Sequence, residues 1–131
     1  MSNAVPWNET EINNEDESIV TDDFYQMAYM AATNTLSVSF GKKPTSKDHL
    51  VAIAKSQIDA LVEEIVSNQE VADSKVLKIT GAATNMITAV ITAALFNKVK
   101  AIAMYDPDQS GYVIVSNKDG TYTVGSVFRA E

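Results

Sequence analysis

Fourteen consecutive residues, Thr84 to Asn97, carry no charge and lie between two short strand-like runs. That arrangement constrains the fold more than any other feature of the chain. Lys75 to Thr80 (KVLKIT) reads as a strand stopped by Gly81, and Lys100 to Tyr105 (KAIAMY) as a second one. A helix apolar or small all round is buried, either in a core or against another subunit. The segment from Lys75 to Tyr105 is therefore a β-α-β unit, and such a unit is a right-handed parallel crossover.

The flanking segments fill in a sheet. Tyr25, Met27 and Tyr29 alternate with smaller or polar residues, as do Leu36, Val38 and Phe40. Two strands with a hairpin turn near Thr33-Asn34 follow. Gly41-Lys42-Lys43-Pro44 breaks the second strand, and Thr45 caps a helix with Asp48 three residues on. Leu50, Ala54, Ile58, Leu61 and Ile65 then recur at helical spacing, with Lys55, Asp59, Glu63 and Glu64 on the far side. Asp106 to Gly111 is turn chemistry. Tyr112 to Ser116 is a strand, Asn117 to Gly120 a turn, and Thr121 to Phe128 a last strand interrupted at Gly125. The predicted fold is a single α/β (α+β) domain of order β-β-α-β-α-β-β-β over residues 24–131. Its mixed sheet is ferredoxin-like or Rossmann-like, and the pairs outside the β-α-β unit are antiparallel hairpins.

Charge separates the first 23 residues from the rest. They hold seven acids and no base, whereas residues 24–131 hold ten of each, so the net charge of −7 belongs to the segment Met1 to Asp23. Its apolar residues are scattered, and it is expected to be a disordered acidic tail. The absence of cysteine excludes a disulfide framework, thiolate zinc sites and a cysteine nucleophile. A single histidine, His49, makes a serine–histidine triad a poor fit. No basic segment precedes an apolar run as in a signal peptide. The near-uncharged run Met86 to Phe96 is far short of the roughly 20 residues of a membrane span. A soluble, cytoplasmic protein is expected, with neither membrane nor DNA as partner.

In open α/β sheets ligands bind at the carboxyl ends of the strands. Two features converge on that edge. The turn Gly81-Ala82-Ala83-Thr84-Asn85 opens a helix N-terminus, whose free N–H groups favour phosphate oxygens. Asp106, directly after the second strand, can ligate a divalent cation, orient a ribose hydroxyl or serve as a base. Each has a plain structural alternative: Gly81 as a tight turn, Thr84 or Asn85 as a helix cap, and Asp106-Pro107 as turn punctuation. No Walker or dinucleotide signature is present.

The series VLKITG (76–81), an apolar helix, AIAMYDP (101–107), Gly111-Tyr112, VIVS (113–116) and TVGSVF (123–128) resembles the small CRISPR-associated ring-nuclease family of type III systems. The resemblance runs over about residues 24–128. It implies homodimers or homotetramers that bind a cyclic oligoadenylate, cyclic tetra-adenylate, or a short RNA between subunits and cleave it, with manganese as a cofactor. It assigns Asp106 as the catalytic and metal-binding residue. Gly81, Ala82, Thr84, Asn85, Ser116 and Asn117 would then hold the ligand. Where the family has an arginine after the DP box, this chain has Asp108. Its histidine positions fall at Asn117 and at Phe96 or Asn97. Without both imidazoles and the guanidinium the obvious acid, base and phosphate clamp are missing. The resemblance thus implies either a ring nuclease or a catalytically degenerate regulatory or assembly module of the same fold.

Overall fold

The computed structural model describes residues 9–14, 17–72, 74–118 and 120–129. The elements are β1 (Glu9–Asn14), β2 (Glu17–Thr21), β3 (Tyr25–Met30), β4 (Thr35–Phe40), α1 (Lys47–Asn68), β5 (Val76–Gly81), α2 (Asn85–Leu95), β6 (Ala101–Asp106), β7 (Gly111–Asn117) and β8 (Val127–Arg129). All these strands join one mixed sheet in sequential order from β1 to β8. The fold is a small α/β domain, as the hydrophobic patterning predicts.

Three details differ from the sequence reading. First, the chain between Glu17 and Asp23 is ordered structure. β2 pairs with β3 along its length, with Val20 fully buried and Ser18 almost so, and β1 pairs with β2. One alternating strand that covers a sheet edge needs only a residue like Val20 on its inner face, so mean composition hides it. The rest of the expected tail, residues 1–8, 15 and 16, lies outside the described residues.

Second, β4 and β5 are parallel, as are β5 and β6. Helix α1 is itself a crossover, so the chain holds two consecutive β-α-β units. Those units are Rossmann-like, whereas the β-α-β-β-α-β order of a ferredoxin-like sheet is not the one formed. Third, the last strand shrinks to β8. Gly125 takes φ +95° within a turn, and its N–H donates to the Ile114 carbonyl, which uses residues 121–126 to bring the chain back onto β7.

Both crossovers advance the sheet in one direction, which places both helices on one face. Leu50, Ala54, Ile58, Leu61 and Ile65 of α1 and Ile87, Ile91 and Leu95 of α2 share a core with Tyr25, Met27, Leu36, Leu77 and Ile79. The helix starts are capped by side-chain oxygens. Ser46, rather than Thr45, accepts from the His49 N–H at 3.4 Å, and Thr84 accepts from the Ile87 N–H at 3.3 Å. Among the described residues no helix is long and apolar enough to cross a membrane.

Among the described residues the opposite face carries no helix. A smaller cluster of Val76, Ala101, Ala103 and Ile114 lies there, with Tyr112, Tyr122 and Phe128 packed against it.

Candidate functional site

The predicted rim forms, but its groups are occupied by the fold. Val76 pairs with Ala101 and Ile79 with Met104, so the same offset brings Gly81 level with Asp106. Gly81 adopts φ +114°, and a Cβ there would stand 2.0 Å from the Val38 carbonyl oxygen. The glycine is required by the close passage of β4. The Ala82 N–H donates to the Val38 carbonyl at 2.9 Å, and the Ala82 carbonyl accepts from the Tyr25 hydroxyl at 2.7 Å. Thr84 is the α2 cap, and Asn85 begins the helix at an exposed position.

Asp106 is committed to its own turn. One carboxylate oxygen accepts from the Asp108 N–H at 3.0 Å, and the other from Gln109 Nε2 at 2.9 Å. That is the local bonding of an Asx turn, closing the β6–β7 hairpin. Ser116 and Asn117 are not brought to this rim. Asn117 pairs with Ala101, whereas Asp106 pairs with Gly111, which puts Asn117 at the far end of β6, roughly 16 Å away along the strand. The Asn117 amide donates to the Tyr122 carbonyl, and its buried Oδ1 has no partner among the described residues. Among the described residues no group of three or more His, Asp or Glu side chains is placed to hold a metal ion. His49 stands exposed at the start of α1, bonded to the Thr45 hydroxyl at 2.7 Å.

Two other surfaces carry unused chemistry. On the helix-free face, a groove of about 490 Å³ opens between the β3–β4–β5 part of the sheet and the β7–β8 hairpin. Thr35, Lys78, Thr80, Tyr112, Phe128 and Arg129 line it. Desolvation lowers the Lys78 pKa from its ordinary value, and among the described residues no acceptor meets its ammonium. Arg129 is held by donating to the Gln109 carbonyl at 2.8 Å.

Tyr105, Tyr112 and Phe128 are paired laterally across β6, β7 and β8. Their ring centroids lie 5.3 and 5.7 Å apart. The sequence reading places Tyr105 and Tyr112 on strands but gives no role to Lys78. A charged residue at an alternate position of a strand otherwise inside the molecule was the available signal.

The second surface is the outer face of α2. Met86 is 44% exposed and Phe96 53%, with exposed Ala89 and Ala93 between them. Beside Phe96, a groove of about 710 Å³ runs between α1 and α2, with Val62, Val90 and Ala94 among its walls.

Compared with known proteins, the chain matches no family model, no curated protein and no solved structure.

Proposed function

We propose that this domain is an assembly module, a ring-nuclease-like scaffold without its chemistry, which associates with its own copy through α2. The observation that carries the reading is the uncharged exposed stripe Met86, Ala89, Ala93 and Phe96. Spacings of three, four and three residues keep these side chains on one side of a helix. The stripe is also self-complementary. Met86 and Phe96 each lie five positions from Ile91, Ala89 and Ala93 two, and Asn85 and Asn97 six. An antiparallel pair of helices about a two-fold axis at Ile91 therefore sets Met86 on Phe96 of a second copy and alanine on alanine. Asparagine then meets asparagine at both ends. Isologous contacts of this kind are the commonest in soluble oligomers. The groove beside Phe96 has room for the second copy's Met86.

The degenerate side of the proposal rests on Asp106, whose two oxygens serve the β6–β7 turn, and on Asn117 standing where the resembled family has a histidine. Light scattering tests the assembly. The expected result is a dimer at micromolar concentration, and Ala93→Glu, which buries a charge in the contact, should weaken it by roughly a hundredfold with an unchanged circular dichroism spectrum. A monomeric wild-type protein overturns the assembly. Incubation with cyclic tetra-adenylate and Mn²⁺ tests the degenerate site, and appearance of a linear product that Asp106→Asn abolishes overturns it.

A further inference from the structure

We propose that the groove on the helix-free face is a binding site for a small ligand in which a planar ring carries one carboxylate or phosphate group. The site is independent of the α2 surface, since the two lie on opposite faces of the sheet.

The anionic requirement comes from Lys78. Its strand neighbours in the same lateral row are Thr35 on β4 and Ala103 on β6. Neither carries a charge, and no acceptor reaches the ammonium from among the described residues. A half-buried cation costs free energy until an anion and its hydrogen bonds compensate it. Thr80 flanks it in the groove wall and adds a hydroxyl that donates to an anionic oxygen, whereas the Thr35 hydroxyl already donates to the Thr33 carbonyl at 3.2 Å.

The planar requirement comes from the opposite wall. Tyr112 and Phe128 line it and stand nearly parallel, at an interplanar angle of 24°, with Tyr105 beyond the groove packed against Tyr112 at 66°. A row of rings on an open sheet face is a stacking surface for a flat ligand. Ala103 on β6 is fully buried beneath this face, and Lys78 on one side and Tyr112 and Phe128 on the other line the one groove. Size follows from volume and charge. A groove of about 490 Å³ lies in the range for small-molecule sites. One lysine and one arginine in the groove, in a chain of net charge −7, do not suit a long polyanion.

Calorimetric titration of the full chain tests the site. The ring-plus-anion probes are adenosine 5′-monophosphate and indole-3-acetate, one for each source of the anion. Adenine and ribose 5-phosphate supply the separate halves of the first, and indole and acetate those of the second. The expected result is saturable binding of at least one joined probe, about tenfold or more tighter than either of its halves. Lys78→Met should weaken it about tenfold or more, while Lys78→Arg, which keeps the charge, should restore most of the loss. Lys78→Met removes an uncompensated cation, so its melting temperature should equal or exceed that of the parent. Failure of every probe to bind at millimolar concentration overturns the proposal. So does equal binding of halves and joined probes, or wild-type affinity in Lys78→Met. If Lys78→Met does not fold, the comparison of probes and Lys78→Arg still decides the matter.

Discussion

Asn34 shows how much a single residue can hide. Its place in a turn is legible, because asparagine tolerates the left-handed conformation, and it adopts φ +54° between β3 and β4. Its burial is not legible. The side chain is fully enclosed and accepts from the Tyr29 hydroxyl at 2.6 Å, while its amide nitrogen meets Gln69 Oε1 at 2.9 Å and the Ser74 and Val76 carbonyls at 3.1 Å. Gln69 returns a bond to Asn34 Oδ1 at 2.9 Å, so the two amides pair reciprocally across the end of α1. Of these partners, Gln69, Ser74 and Val76 lie 35 to 42 residues away along the chain, beyond any local pattern. Asn34→Ala strains the turn and orphans several buried polar groups at once. The expected cost is about 3 kcal/mol, read as a lower urea midpoint at unchanged slope. A cost under about 1 kcal/mol would show that water replaces the amide without loss. Gly81 and Asp106 illustrate the converse. Their positions follow from the sequence, but whether a glycine bend or a turn aspartate also serves a ligand depends on what its donors and acceptors already hold.

At the scale of elements, hydrophobic period located what it could measure. The core stripe of α1 runs through Leu50, Ala54, Ile58, Leu61 and Ile65, as the spacing predicts. The apolar α2 divides into a buried face and an exposed one, which no period resolves when every residue is apolar or small. β2 escaped because acids surround it. Its inner positions nevertheless engage the helix layer: Val20 joins the main core, and the Ser18 hydroxyl donates to Glu64 of α1 at 2.6 Å. A chain that begins at Phe24 tests whether that engagement matters. It loses the burial of Val20, worth roughly 2 kcal/mol, and leaves β3 as a bare edge. The expected outcome is a melting temperature lower by several degrees together with concentration-dependent aggregation. An unchanged melting temperature in dilute solution would make the β1–β2 ribbon an appendage.

The whole molecule is a one-way sheet with helices on a single side, and this decides where function can sit. Where strand order reverses, an α/β sheet opens a crevice between diverging crossovers. Here the order from β4 to β6 never reverses, and grooves open instead on the helix-free face and between α1 and α2. Element order from β3 onward could be read from the sequence, whereas sidedness required knowing that α1 is also a crossover. The same one-sided core governs the response to alkali. Tyr25 and Tyr29 lie fully buried under the helices, and burial raises both phenols above the ordinary tyrosine value of 10.0. Between that value and their folded pKa values the unfolded chain releases protons that the folded chain keeps. The folded state then binds more protons, and stability falls as pH rises. Lys78 acts in the opposite sense. Its folded pKa lies below the ordinary 10.5, so its penalty is present at neutral pH and fades as the unfolded lysine also loses its proton. Two buried phenols outweigh one half-buried ammonium, and the Tyr25 displacement is the largest of the three. Urea midpoints are therefore expected to stay level up to about pH 9 and to drop steadily above about pH 10. Tyr25→Phe should cost about 1 kcal/mol at neutral pH, through the lost bond to the Ala82 carbonyl, and should make the alkaline decline shallower. Midpoints that hold or rise to about pH 11 would mean that water reaches these hydroxyls in the folded protein.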